Sequence, residues 1–541
     1  MNMPTPNANQ EKRYKPVVLI IMDGFGVGAN IIESPWELAV HPFFSEVEKN
    51  YPFATLQASG TAVGLPWNEP GNSEVGHLTM GSGKIIYTHL PRISVAIEDG
   101  SFFKNETLQK AISHLEEQPE EKNPSLHFMG LFSSGSVHAY ASHLYALLDY
   151  AKQKKVKRVF LHLFCDGRDA SLKEGATFFK ELEYHIEKQY PFAKIASVIG
   201  RKYPMERDGN WERTETAYSL FVEGIGNKFE EVSSYIDENY SKGITDESIE
   251  PACRQTKEQM SCAESRIKNN DAVISFNFRE DSMRQITEAF TSKSFDKFVR
   301  RELPNLFFAT MTEYNKKFNL PVIFPPIDNK YPLARAVSDA GLSQVHIAET
   351  EKYAHVTYFF NGGKEDPFPR EDRVLIASPE TTSFALKPEM SADKVADTII
   401  ESIPKYDFIL ANFANADMVG HTGDFEATIK AIETLDREVG RAVKAVEEAG
   451  GVTIITGDHG NAEEKIYKLT GEKRTKHTSN SVPFYIIGKD FKAKEALPQE
   501  NVKKKYKMTN GILIDVAPTI LSLLSIPKPN EMTGESLLKK E

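Results

Sequence analysis

The stretch "PVVLIIMDGFG", residues 16–26, is where the fold reading begins. Val17 to Met22 form a short, largely β-branched apolar run that reads as a strand, and it ends in Asp23. The same arrangement recurs along the chain, with short apolar runs separated by longer stretches of helical pattern. That alternation predicts an α/β architecture with largely parallel sheets. No solenoid repeat of about 20–50 residues is visible, and "EEQPEEKNPS" (116–125) reads as an exposed loop.

The residues just past each apolar run carry the chemistry. "YDFILANFANADMVGHTGD" (406–424) delivers Asp417 and His421 just after its strand, and "GVTIITGDHGNAEE" (451–464) delivers Asp458 and His459. "KHTSNSVPFYII" (476–487) sets His477 immediately before another strand. In open α/β sheets, ligands bind in the crevice outside the carboxyl ends of the strands. A lone aspartate there is ordinarily a helix cap, a lone histidine ordinarily a satisfied surface or core residue, and Asp417 with His421 could be an i,i+4 helical pair. Three aspartates and three histidines adjoining strands of one sheet suit a divalent metal site better. Six or seven oxygen and imidazole ligands without cysteine fit two ions, and Mn²⁺, Zn²⁺, Co²⁺ and Mg²⁺ all remain open.

The middle of the chain repeats the pattern with different residues. "SLHFMGLFSSGSVHAY" (125–140) reaches His138, and "RVFLHLFCDGRDA" (158–170) ends in Asp166, Arg168 and Asp169. "KIASVIGRKYPMERD" (194–208) supplies Arg201 and Arg207, and "DAVISFNFRED" (271–281) supplies Arg279. One arginine is ordinarily just solvated. Several at strand ends beside a carboxylate and a histidine predict an anion pocket, because guanidinium forks bind carboxylate and phosphate bidentately.

"EPGNSEVGHLTMGSGK" (69–84) sets Ser73 in a glycine-rich stretch. It is not a Walker A loop, since Leu78 stands where the first glycine belongs and Ile85 follows Lys84. Nor is it a nucleophile elbow, since Val75 replaces the second glycine. On its own it reads equally well as a flexible surface loop. Beside two metals, however, a serine hydroxyl can be held as an alkoxide without a histidine base. Facing an arginine-lined pocket, it predicts phosphoryl transfer through a phosphoserine.

Whole-chain properties agree with an enzyme. The 541 residues suggest about two to four domains, and 40% hydrophobic with 26% charged residues is ordinary for a globular protein. A net charge of −11 argues against general nucleic-acid binding. The N-terminal "MNMPTPNANQEKRYK" lacks the apolar core of a signal peptide, and no apolar run approaches the ~18 residues that span a bilayer. Cys165, Cys253 and Cys262 are an odd, sparse set, expected as thiols in a reducing cytoplasm rather than as a disulfide framework.

Taken together, "IIMDGFG", "GNSEVGH", "CDGRDA", "GRKYPMERD", "AETEKYAHVTYFFNGG", "NADMVGHTG", "GDHGNAEE" and "KHTSNSVPF" resemble the cofactor-independent (2,3-bisphosphoglycerate-independent) phosphoglycerate mutases of the alkaline phosphatase superfamily. The likeness runs in order from about residue 16 to the "DVAPTIL" segment near 515. It implies an alkaline-phosphatase-like α/β domain in two segments, 15–87 and 329–541, with an α/β transferase domain, 88–328, inserted between them. It implies Ser73 as nucleophile, sharing one metal with Asp23, Asp458 and His459, and a second metal on Asp417, His421 and His477. His138, Arg168, Asp169, Arg201, Arg207 and Arg279 would bind substrate, with Asp169 as general acid/base and Lys352 reaching the transferred phosphate.

The implied reaction interconverts 3-phosphoglycerate and 2-phosphoglycerate with two divalent ions, Mn²⁺ first among them, and without 2,3-bisphosphoglycerate. The implied partner is a small molecule, with no nucleic acid and no membrane, acting on a cytoplasmic monomer. The chain departs from the family where a second arginine is usual three residues after Arg279: it has Ser282, with Arg284 two positions on. "SSGSVH" before His138 and Glu69-Pro70 before the serine stretch also differ. A metal-dependent phosphatase or another phosphomutase of the superfamily is the alternative, sharing the metal site but not the arginine set.

Overall fold

The computed structural model describes residues 13–27, 34–255, 262–467 and 469–538. The chain forms two compact units, one of residues 1–88 with 328–541 and the other of residues 89–327.

The first unit is built on an eight-stranded sheet in the order Glu371–Ile376, Gln344–Glu349, Phe408–Phe413, Val17–Met22, Val452–Thr456, Val482–Ile487, Phe53–Gln57, Gly511–Ile512. The first five strands are mutually parallel, and Val482–Ile487 runs antiparallel to both of its neighbours. Val17–Met22 sits inside the parallel block, and all six of its residues are buried. A strand covered by helices on both faces has no solvent side, which is why its sequence is continuously apolar instead of alternating. Phe408–Phe413 and Val452–Thr456, its two neighbours, are buried throughout for the same reason.

The second unit carries its own eight-stranded sheet, Val322–Phe324, Phe307–Thr312, Ala272–Ser275, Leu126–Leu131, Val159–Cys165, Ala193–Gly200, Ala252–Arg254, Asn227–Phe229. It is parallel apart from the pairing of Ala193–Gly200 with Ala252–Arg254. A polar line crosses its core. His127 lies 3.0 Å from His162, which reaches Ser197, while the other face of His127 reaches Asp271. Each of these buried polar groups finds a partner on an adjacent strand, so the desolvation cost is offset by hydrogen bonds.

Two expectations require correction. The stretch 69–84 is not a loop throughout, because Ser73–Ser82 is a helix. Asn72 caps it by accepting a bond from the Val75 amide at 2.9 Å, and Gly83 ends it in the left-handed conformation. Its glycines serve close packing: a Cβ on Gly81 would collide with the Phe360 carbonyl oxygen. Secondly, the cysteines are not all free. Cys253 and Cys262 form a disulfide, with Cα atoms 6.2 Å apart, and only Cys165 remains a thiol. The pairing depends on the strand Ala252–Arg254 and the turn at Cys262–Glu264 approaching each other, which the cysteine count could not reveal.

Candidate active site

In the first unit, the parallel strands deliver their chemistry at one edge. Asp23 directly follows Val17–Met22, Asp458 follows Val452–Thr456, and Lys352 lies in the turn after Gln344–Glu349. Asp417 sits in the short helix Asn415–Gly420 after Phe408–Phe413, and His421 is the residue that caps it. His477 precedes the antiparallel strand Val482–Ile487, whose beginning lies where its parallel neighbours end. Ser73 is the first residue of its helix, where unpaired backbone amides and the helix dipole favour negative charge.

All seven residues expected to hold metals, and Lys352, converge. Ser73 Oγ lies 3.0 Å from Asp23 Oδ1, 3.0 Å from His459 Nε2 and 2.7 Å from Lys352 Nζ. Lys352 also donates to Asp23 at 2.5 Å and to Asp417 Oδ2 at 2.6 Å. His421 Nε2 and His477 Nε2 each lie 3.3 Å from Asp417 Oδ1 and 3.0 Å from one another.

The three imidazoles are oriented alike. Nδ1 of His421, His459 and His477 faces the backbone carbonyl of Thr475, Gly460 and Gly71 respectively, at 2.9, 3.2 and 2.8 Å. Donation from Nδ1–H turns each Nε2 lone pair inward, which is how a metal-ligating histidine is held. The lone pairs of His421 and His477, 3.0 Å apart, repel unless a cation lies between them.

The carboxylates point the same way. Asp23, Asp417 and Asp458 are buried with a single buried ammonium, Lys352, among them. Asp458 Oδ1 accepts from the Gly24 and His459 amides, while Oδ2 faces the imidazoles of His77 at 3.2 Å and His459 at 3.6 Å. Three interior carboxylates around one ammonium favour further positive charge at the site. Burial and the Asp458 charge push the Asp23 carboxyl upward. At Asp417 burial is outweighed chiefly by the Lys352 ammonium, which holds the carboxyl well below its usual range. The donor set therefore fits divalent cations.

Further residues, not foreseen from the sequence, complete this centre. His77, one helical turn after Ser73, has Nδ1 2.8 Å from the Ser73 carbonyl and 3.2 Å from Asp458 Oδ2. Asn412 donates to Asp23 Oδ2 at 2.8 Å and lies 3.0 Å from His77 Nε2. Their only sequence signals were the i,i+4 spacing from Ser73 and a polar residue inside an apolar strand.

In the second unit a cleft of about 190 Å³ is lined by His138, Arg168, Asp169, Arg201, Arg207 and Arg279, all six residues expected there. Arg201 pairs with Asp166 at 2.6 Å and Asp169 at 2.5 Å, and Arg168 pairs with Glu247. Arg207 and Arg279 share Asp281. His138 Nε2 lies 3.6 Å from Asp169, and burial, reinforced by Arg201 and Arg279, lowers its pKa to about 4. Ser282 lines the cleft and contacts His138 Nδ1 at 3.1 Å. Arg284 does not line it and donates instead to the Tyr314 carbonyl, whereas Arg213, paired with Glu206, does line it.

Carboxylates, imidazoles and a serine gathered at the edge of a parallel sheet, in a donor set that fits divalent cations, are what a metalloenzyme carries, and residues 15–528 match the model of the metalloenzyme superfamily. The chain is 45% identical to 2,3-bisphosphoglycerate-independent phosphoglycerate mutase 1 of Methanosarcina acetivorans, over 97% of this chain and 99% of that protein. It is 45% identical to the 2,3-bisphosphoglycerate-independent phosphoglycerate mutase of Clostridium acetobutylicum, over the same shares. The crystal structure of Leishmania mexicana phosphoglycerate mutase at low cobalt concentration is similar across 100% of both chains, with a TM-score of 0.55 and 28% identity. The chain belongs to the family of 2,3-bisphosphoglycerate-independent phosphoglycerate mutases.

Proposed function

We propose that this chain interconverts 3-phosphoglycerate and 2-phosphoglycerate through a phosphoserine at Ser73. The observation that carries the reading is the setting of Ser73 Oγ, at a helix N-terminus with Lys352 Nζ at 2.7 Å and His459 Nε2 at 3.0 Å, in the cluster where His421 and His477 meet Asp417. Asp23, Ser73, Asp458 and His459 would hold one divalent cation and Asp417, His421 and His477 the other. Bound there, two such ions, Mn²⁺ on this reading, supply Lewis acidity that lowers the serine pKa and offsets charge on the phosphoryl oxygens.

Ser73 Oγ attacks phosphorus, forming an O–P bond as the bond to the 3-oxygen of glycerate breaks. Asp169 gives that oxygen its proton and takes one from the 2-hydroxyl when the phosphoryl group returns. His138, Arg168, Arg201, Arg207 and Arg279 hold the glycerate by its carboxylate and hydroxyls, so that its own hydroxyl and not water receives the group. Lys352 donates to the phosphoryl oxygens as charge builds on them. On this reading the first unit is the phosphatase-like domain and the second the transferase domain of a monomer, while the Cys253–Cys262 bridge removes the cysteine argument for a cytoplasmic setting.

The test is mutase activity on 3-phosphoglycerate coupled to enolase, without 2,3-bisphosphoglycerate, in Mn²⁺ and in EDTA. Activity is expected only with metal, and Ser73→Ala is expected to lose at least ~10⁴-fold, as removal of a nucleophile does. Phosphate release without 2-phosphoglycerate would overturn the reading in favour of a phosphatase.

A further inference from the structure

Behind the metal-ligand edge of the first unit lies a buried lysine that the mechanism does not use. Lys465 is 2% exposed, yet among the described residues its ammonium bonds to amide oxygens and forms no salt bridge with a carboxylate. Nζ donates to the Gly420 carbonyl at 2.9 Å and to Asn461 Oδ1. Asn461 in turn donates through Nδ2 to Asp417 Oδ1 at 2.8 Å and, more weakly, to the Asp417 carbonyl at 3.3 Å. The Asn461 amide nitrogen donates to Glu463 Oε2 at 2.8 Å, and Glu463 Oε1 accepts from Asn480 at 2.9 Å and from Thr478, the neighbour of His477. The packing is tight: a Cβ on Gly420 would lie 2.8 Å from Asn461 Oδ1, and one on Gly26 would lie 2.5 Å from the Glu463 carboxylate.

A lysine ammonium carries donors and no acceptor, so it fixes which way the Asn461 amide faces. With Oδ1 turned to Lys465, the NH₂ group must face Asp417. It binds Oδ1, the same oxygen that faces His421 and His477. Remove the ammonium, and Asn461 Oδ1 loses its buried donor, so the amide is held only at its Asp417 end and no longer clamped against the carboxylate. We propose that Lys465 and Asn461 form a positioning relay that aims the Asp417 carboxylate and sets the affinity of the cation site it shares with His421 and His477. The inference rests on the metal ligation proposed above and adds two residues that touch neither cation nor substrate.

The test is calorimetric titration of the dialysed full-length protein with Mn²⁺, for wild type, Lys465→Met, Asn461→Ala and the double variant. Asp417→Ala identifies which of the two binding events belongs to the Asp417 site. In each single variant that event is expected to weaken about 10–100-fold, as loss of an outer hydrogen-bond partner does. The other event should stay within about threefold, and the double variant should be no worse than either single one. Lys465→Met takes the donor away from the Gly420 carbonyl and Asn461 Oδ1 and is expected to lower the melting temperature of the metal-free protein. A purely structural lysine would do that too, but without weakening one of the two binding events selectively. If Lys465→Met does not fold, Asn461→Ala carries the test alone. Unchanged Mn²⁺ affinity in the variants, or equal weakening of both events, overturns the relay while leaving the metal reading intact. Wild type that binds no Mn²⁺ overturns both.

Discussion

Ser282 shows what one side chain can decide. Its hydroxyl stands 3.1 Å from His138 Nδ1, while Nε2 of the same ring faces Asp169. With its proton on Nε2, on the side of the carboxylate, the ring leaves Nδ1 to accept from Ser282. Ser282→Ala therefore leaves a buried acceptor unpaired, at a cost of about 1–2 kcal/mol. We expect the KM for 3-phosphoglycerate to rise about 5–30-fold with kcat within about threefold, and Ser282→Thr to restore it, measured by enolase-coupled kinetics. Lys352 is predicted to act on the other parameter. It bridges Asp23, Asp417 and Ser73, so Lys352→Gln should lower kcat by about 10²–10³-fold, the usual effect of losing a donor to developing charge. From sequence, position 282 was visible only as a missing arginine. What replaced it was not, because the serine acts through a histidine 144 residues away.

At the scale of elements, the glycines of the helix Ser73–Ser82 explain both how it functions and why it was hard to read. Two glycines in ten residues argue against a helix on propensity alone, so a loop was the natural expectation. Tertiary packing reverses that preference. A Cβ on Gly76 would lie 2.6 Å from the Asp458 carbonyl oxygen and 2.8 Å from its Cβ. Gly76→Ala, worth about 1 kcal/mol of helix propensity in isolation, is therefore expected to destabilise by about 1–3 kcal/mol through overpacking. It should also weaken Mn²⁺ binding, because the helix start carrying Ser73 must move away from Asp458. Gly81→Ala meets Phe360 instead, and should lower the melting temperature without changing Mn²⁺ affinity. Thermal unfolding and calorimetry on the pair separate the two effects. The strands were legible because Asp23, Asp417 and Asp458 each come shortly after a short, mainly apolar run. Asn412 and Lys465 were not, because a polar residue inside a strand and a lysine beyond a motif gain meaning only from neighbours across the sheet.

At the scale of the whole molecule, alternating strands and helices announced an α/β protein. Strand order and the Cys253–Cys262 bridge depend on non-local pairing that periodicity does not encode. The buried titratable groups lead us to expect a further difference between the two units that no motif displays, in their response to acid. In the unit of residues 89–327, burial lowers His138 and His143 to about 4 and His162 well below its ordinary value, and lowers His89 as well. The unfolded chain takes up these protons below about pH 6.5 while the folded unit does not. Each such histidine therefore removes up to about 1.4 kcal/mol of stability per pH unit as the pH falls toward its folded value. Asp246, raised by burial, works against them, a single carboxyl facing four histidines. In the other unit His41, His346 and His355 act in the same destabilising direction. There, however, burial pushes Glu48 and Glu349 up to about 7. A raised carboxyl contributes stability that is full below its unfolded pKa and is lost as the pH rises through the folded value, so these two groups add stability over the same acid interval. Between about pH 7.5 and 5, in metal-free protein, the strands Leu126–Leu131 and Val159–Cys165 should thus lose more hydrogen-exchange protection than Val17–Met22 and Phe408–Phe413, after correction for the intrinsic rate. Equal losses in the two sheets would show that the buried histidines of the second unit do not govern its acid stability.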